Sequence, residues 1–302
     1  MGEVFNHLYN PRHHLHKKFV QYWQKIAKTF KGNPYVIAYE LINEPFVGNA
    51  IRNPFLLLPS LAERIKFQQF YDNVVTAIRK EDNDTNICFE PITFDFAFNS
   101  GFTHAPGGNL YRNKSILCYH FERPPVRSLK TMNARLRDMK RLGLPVLMSE
   151  FGSQPEVREF VEDHLQSYFY WQYKEFGKGW GSNGNFTFFA EDDEGGLVFK
   201  NGSINPKDVP NVARTILQKT AGHLLKMRYR VETGHFNAVY EAAPGGTSVL
   251  YLSKNRLYKE GYALDVYPKE HVTIVDNPDN NLIEITYNGK EVVQIVVNVE
   301  KL

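Results

Sequence analysis

The chain of 302 residues is poor in several things, and each shortage excludes a class of protein. Cysteine occurs twice, at Cys88 and Cys118, which is too few for a disulfide-stapled scaffold or a cysteine-built zinc module. Both sit inside strand-like stretches and read as buried core thiols; a bridge between them would need neighbouring strands. No apolar run approaches the length of a membrane span. Met1 leads straight into polar residues, with no secretory leader in view. The net charge of +3 is small and scattered, so the chain lacks the basic footprint of a nucleic-acid binder. Histidines cluster once, at His13, His14 and His16, without a matching distant ligand motif, and read as a solvated helix start rather than a metal site.

What is there is a soluble globular composition, with 42% hydrophobic and 23% charged residues, long enough for one or two domains. Aromatics reach 14%, the level expected where sugars must be stacked upon. Four N-x-S/T sequons, at Asn83, Asn113, Asn185 and Asn201, lean toward a secretory route.

The chain is organised around residues 35 to 46, YVIAYELINEPF. Val36 to Ile42 is an apolar, β-branched and aromatic run with one polar break at Glu40, the pattern of a strand buried on both faces. It ends in Asn43-Glu44-Pro45, which places Glu44 at a strand tip. Leu144 to Ser149 repeats the design and ends in Glu150-Phe151-Gly152. A carboxylate at the C-terminal end of a buried parallel strand is where an α/β barrel keeps its chemistry.

Taken in order, residues 1 to 12 read as polar and turn-like, and 13 to 30 as an amphipathic helix stopped by Lys31-Gly32-Asn33-Pro34. The loop 46 to 60 carries an unusual apolar core, Pro54-Phe-Leu-Leu-Leu-Pro59, suited to packing on a barrel rim or to walling a lipid tail. A helix over 61 to 81, a strand over 86 to 91, a Gly/Pro/His loop over 101 to 113 and a strand over 115 to 120 follow. Glu90 and Asp95, near the tip of the 86 to 91 strand, are candidates for lining the mouth. Then come a helix over 127 to 142, the Glu150 strand, a helix over 155 to 166, an aromatic strand over 167 to 174, a long loop over 175 to 206 and a helix over 206 to 222. From about 224 short alternating stretches between Gly, Asn and Pro turns predict an antiparallel β-sandwich.

NEP on one strand and EFG three strands later resemble glycoside hydrolase family 5, the retaining β-glycosidases. The ordered set NEPF, NPFLLLPSLA, GFTHAPGGNLYRNKSILCYH, SEFG and YFYWQYK narrows the resemblance to the endoglycoceramidase-like members, over residues 13 to 222. The resemblance implies a (β/α)8 TIM barrel of which five strands, four to eight, are present, so an N-terminally truncated member is expected. The expected domains are 1 to 222, the barrel portion, and 223 to 302, the sandwich.

It further implies hydrolysis of the bond between sugar head and ceramide of a glycosphingolipid, with Glu44 as general acid/base and Glu150 as nucleophile about 5–5.5 Å away. Asn43 would bond the sugar 2-hydroxyl, Trp171 would stack on the sugar, and His120 would stand beside the acid/base. The family's His-x-Tyr is here His120-Phe121-Glu122, so a third carboxylate would approach Glu150 and disfavour its ionised form. Tyr119 would take that tyrosine's place only through a register shift. No metal or organic cofactor is implied. A glycosphingolipid or other β-glycoside is the expected partner, with transient membrane-surface contact, a monomeric state once the barrel is complete, and a secreted or lysosomal/vesicular location. The alternatives are a non-catalytic glycolipid-binding remnant and a β-glucanase or glucosylceramidase of the same family.

Overall fold

The computed structural model describes residues 2–92, 98–121, 129–151, 155–171, 173, 197–198, 202–206, 209–277 and 280–302. Asp95, Glu122, Gly152, the sequons at Asn185 and Asn201, and most of the 175 to 206 loop lie outside the described residues. The chain divides into two compact units, Met1–Phe151 with Ser167–Phe169, and Gly152–Gln166 with Tyr170–Leu302.

The first unit begins with α1 (Gly2–Tyr9), where the sequence suggested a polar turn. Tertiary contacts explain the helix: Leu8 and Tyr9 are buried, and the Tyr9 hydroxyl donates to the Phe46 carbonyl at 2.8 Å. α2 (His14–Phe30) follows as expected, its first turn capped by the His13 ring. Then come β1 (Ala38–Glu40), α3 (Gln68–Ile78), β2 (Asn86–Phe89), β3 (Ser115–Phe121), α4 (Leu129–Leu142) and β4 (Val146–Phe151). α5 (Pro155–Asp163) belongs to the second unit, and β5 (Ser167–Tyr170) returns to the sheet of the first.

The sheet runs in the order β1-β2-β3-β4-β5, and β1 through β4 pair in parallel. A strand followed by a helix and the next parallel strand keeps a single crossover hand, so the helices gather on one face. On that face Tyr71 of α3 meets Phe89 at 5.7 Å, Phe89 meets Phe102 at 5.0 Å, and Trp23 of α2 packs on Tyr39 at 6.1 Å. On the other face Cys88, Cys118 and Leu147 form a small apolar floor with Ala38 and Ile116 against it. Both cysteines are buried free thiols, on the neighbouring strands β2 and β3.

That second face is concave. β1 and β4 are three strands apart, which in a flat sheet is about 14 Å. Yet the Ser149 hydroxyl of β4 donates to the Glu40 carboxylate of β1 at 2.6 Å. Only a strongly curled sheet brings two short side chains from those strands together.

The helix expected over 127 to 142 is present from Leu129, and beside the apolar Met132 and Leu142 it buries charged side chains. Arg135 and Asp138 are fully buried, while Leu129 is exposed. The reason is the loop before β3: the Asp138 carboxylate accepts the Ser100 N–H at 2.8 Å, and Arg135 and Arg141 donate to the carbonyls of Phe98 and Ser100 at 2.6 and 3.0 Å.

The second unit is antiparallel. β6 (Ile216–Lys219), β7 (Gly222–Tyr229), β8 (Phe236–Ala242), β9 (Thr247–Tyr251), β10 (Tyr262–Tyr267), β11 (Val272–Asp276), β12 (Leu282–Tyr287) and β13 (Val293–Lys301) form two four-stranded sheets, ordered β10-β13-β8-β7 and β11-β12-β9-β6. Alternate residues of both sheets, among them Phe236, Tyr240, Leu250, Ile283, Ile285 and Val297, build one core. The helix expected over 206 to 222 is corrected: among the described residues of that range only Val209–Val212 is helical, and Ile216–Lys219 is β6. Pro210 and the β-branched Thr215-Ile216 weaken the helix, and Leu217 is buried in the core opposite Leu250 of β9.

Candidate active site

The chain turns sharply after β1. The Trp23 indole donates to the Leu41 carbonyl at 3.1 Å, and the Leu41 N–H reaches the Cys88 carbonyl at 3.1 Å, fixing the strand's last turn to α2 and β2. Three residues on, Glu44 has φ +47°, a left-handed conformation that side-chain-bearing residues avoid at a cost of roughly 1–3 kcal/mol. Its N–H donates to the Glu90 carboxyl at 3.2 Å.

β3 delivers His120 by simple alternation. Cys118 and His120 are two residues apart and share the concave face, as do Cys88 and Glu90 on β2 and its extension. β4 delivers Glu150 by a bulge. Tyr119 pairs with Met148, but His120 pairs with Glu150, so Ser149 is an extra residue. Regular pairing would set Ser149 opposite His120 and turn Glu150 toward the helices. The bulge puts Glu150 on the His120 face and lets Phe151 take the buried position opposite Phe121. Glu150 thus lies within its strand, one residue before the end, rather than just past it as the sequence suggested.

These side chains converge. His120 Nδ1 is 3.2 Å from Glu44 Oε1 and 3.8 Å from Glu150 Oε2, and its Nε2 is 3.7 Å from Glu90 Oε1. One carboxylate oxygen of Glu44, one of Glu150 and a His120 nitrogen all lie within 4.8 Å of one another. Glu40, Glu90 and His120 form a second triad on the same scale. Acidic groups at such spacing are common without an ion, and no metal is assigned to either triad.

Glu90 is only 2% exposed. Burial, followed by the negative charge of Glu40, with Glu44 and Glu150 adding, pushes its carboxyl up to about 9 against the opposing pull of the Glu44 N–H. It therefore carries a proton at neutral pH. Glu90, just past the end of β2, is thus a carboxyl that feels the charge of Glu150; Glu122, expected to approach Glu150, lies outside the described residues.

The remaining expected site residues are placed as follows. Asn43 is exposed beside Glu44. Tyr119 is buried opposite Met148, on the strand face opposite to that of His120. Trp171 follows β5, is about half exposed at 52%, and is grouped with the second unit. Sequence reasoning undervalued Glu90 and left Glu40 as a mere polar break. The two-residue spacing of Cys88 to Glu90 and of Cys118 to His120 is the signal that joins them.

A shallow apolar cleft opens beyond the tip of β2, lined by Leu56, Leu57, Leu58, Pro59, Ile92 and Phe98, with Ala62, Glu63, Ser60 and Asn99. Two loops make it. The Ser60 hydroxyl donates to the Asn99 carbonyl at 2.6 Å, and a Cβ on Gly101 would sit 1.8 Å from the Ser60 carbonyl oxygen. Only glycine permits that approach. The Glu63 carboxylate accepts the Ile92 N–H at 3.2 Å, joining the cleft to the strand that carries Glu90.

A parallel α/β sheet that presents two carboxylates and an imidazole at its strand ends has the groups for acid–base and nucleophilic chemistry. The sequence model of the family described as Cellulase (glycosyl hydrolase family 5) matches residues 4–177, and the chain belongs to that family. It is 36% identical over 287 residues to an endoglycoceramidase of Hydra vulgaris, covering 91% of this chain and 53% of that protein. It is 32% identical over 286 residues to an endoglycoceramidase of Cyanea nozakii, covering 89% of this chain and 55% of that protein. The chain thus spans about half the length of these curated relatives. The fold is that of endo-glycoceramidase II from Rhodococcus sp., solved in complex with ganglioside GM3, with a TM-score of 0.71 at 16% identity, covering 99% of this chain and 67% of that one.

Proposed function

We propose that this chain carries the catalytic pair of a retaining glycosidase that cleaves the β-glycosidic bond between the sugar head and the ceramide of glycosphingolipids. Glu44 is the general acid/base, protonating the leaving oxygen and then deprotonating the attacking water. Glu150 is the nucleophile, forming a covalent glycosyl-enzyme. The observation that carries this reading is the approach of a Glu44 oxygen to within 4.8 Å of a Glu150 oxygen with His120 against both. That spacing suits direct attack and leaves too little room for the interposed water of an inverting enzyme.

His120 orients the Glu44 carboxyl, Asn43 meets the sugar 2-hydroxyl, and Trp171 supplies a stacking face. The five strands stand as strands four to eight of a (β/α)8 TIM barrel, with β6 to β13 as a β-sandwich domain. The cleft lined by Leu56, Leu57, Leu58 and Phe98 takes the lipid, which is why Leu57, Leu58 and Phe98 stay half in solvent while Leu56 anchors the wall. The relatives' names support the substrate class, and the exposed sequons Asn83 and Asn113 agree with a secreted or vesicular location.

The test is release of labelled ceramide from a glycosphingolipid by purified chain, with Glu150→Gln as control. Release that the control abolishes supports the reading. Binding of the glycolipid without release supports the other one, a non-catalytic glycolipid-binding remnant. The exposed Glu40 and the β1 edge, which has a single pairing partner among the described residues, favour that alternative.

A further inference from the structure

Glu90 has no part in the two-carboxylate reaction, yet it lies at the centre of the cluster. Its backbone is fixed from both sides by one side chain. The Tyr71 hydroxyl donates to the Glu90 carbonyl at 2.9 Å and accepts the Glu90 N–H at 3.3 Å. With the backbone held and the side chain buried, the carboxyl has little freedom. Its Oε1 accepts the N–H of Glu44, the residue whose left-handed turn the loop must hold against strain. The same oxygen faces His120 Nε2 at 3.7 Å. One carboxyl group therefore touches the backbone of the acid/base and the imidazole on its side chain.

We infer that Glu90 is a positioning residue, whose carboxyl oxygen pins the Glu44 N–H and so aims the Glu44 carboxyl at His120 and Glu150. This rests on the reading of Glu44 and Glu150 as the catalytic pair. Only a neutral group serves well here. The groups facing Glu90 are Glu40 of β1, Glu44 in the loop after it, Tyr71 of α3, Cys118 and His120 of β3, and Glu150 of β4. Three of these are carboxylates, so ionised Glu90 would add a further negative charge to a buried cluster, repelling Glu44 and Glu150. Its proton, held up to about pH 9, removes that repulsion while leaving Oε1 free to accept the Glu44 N–H.

The experiment uses the full chain, wild type beside Glu90→Gln and Glu90→Ala, labelled with 15N-glutamate; Glu44→Gln assigns the Glu44 amide. In wild type the Glu44 amide shift moves with pH with a midpoint of about 9, following the carboxyl it donates to. In Glu90→Gln, whose amide oxygen accepts the same bond and does not titrate, that movement is absent. With a fluorescent-ceramide glycoside, Glu90→Ala lowers kcat by about 10²-fold with KM little changed, since the acid is misaimed rather than removed. Glu90→Gln recovers most of that loss and also lacks the fall in rate above pH 9. A wild-type Glu44 amide that does not titrate, or a folded Glu90→Ala chain that hydrolyses like wild type, overturns the inference. If wild type releases no ceramide at any pH, the glycosidase reading fails by itself and the amide titration alone decides the role of Glu90.

Discussion

At the scale of single residues, the site separates groups by environment. Glu44 and Glu150 are part-exposed, while Glu90, a few ångströms away, is sealed. A partly solvated carboxylate can ionise; a sealed one surrounded by carboxylates keeps its proton. Replacing Glu44 by Gln is expected to slow ceramide release by about 10²–10⁴-fold, and to slow an aryl glycoside with an activated leaving group far less, because that group departs without a proton. Comparing kcat/KM on the two substrates checks it, since that ratio reports the step in which the leaving group departs. Glu90 also makes a stability prediction. It holds its proton up to about 9 in the folded chain and releases it near 4.5 when unfolded. Between those values the folded state binds one more proton, so this group's contribution falls as pH rises. Thermal melts at pH 5 and pH 8 are expected to show a smaller drop in Tm for Glu90→Gln than for wild type; equal drops would count against a buried neutral carboxyl.

At the scale of elements, the walls of the apolar cleft are held by groups far from apolar. α4 spends Arg135 and Asp138, two buried charges, on the backbone around Phe98 and Ser100. Gly101→Ala is expected to destabilise the chain by about 1–3 kcal/mol, since its methyl group meets the Ser60 carbonyl, and denaturant melts would measure it. Leu57→Asp, on an exposed wall, leaves stability nearly unchanged and raises KM for a ceramide glycoside while sparing a short soluble one. An equal effect on both substrates would argue that the cleft does not take lipid. Periodicity revealed most elements, including α2, the strand of Glu150 and the alternation of the C-terminal sheets. It missed α1, which is held by contacts to Phe46, and it took β6 for helix, because its apolar residues answer to β9 rather than to their own neighbours. Glu44, His120 and Glu150 were legible from local context. The bulge that turns Glu150 inward was not, because an extra residue shows only against a partner strand.

At the scale of the whole molecule, the second unit reaches back to claim α5, and it does so with charge. Arg214 donates to Glu162 at 2.8 Å, and Arg228 and Arg230 bind Glu159 at 2.8 and 3.1 Å. Arg214 and Glu162 are both buried, so Glu162→Ala strands a guanidinium and is expected to cost about 3–5 kcal/mol, visible as lost hydrogen-exchange protection in α5 and β7. The first unit is governed differently. A closed barrel has its radius fixed by strand number and shear. An arc of five strands has no such rule, and its span is set by whatever ties one strand to a distant one. The bond from Ser149 to Glu40, like the reach from Glu44 through His120 to Glu150, is a chord across that arc. The separation of the two carboxylates is thus a gauge of curvature. Any change that flattens the arc lengthens the chord, and the chemistry goes slack before a single strand has come apart.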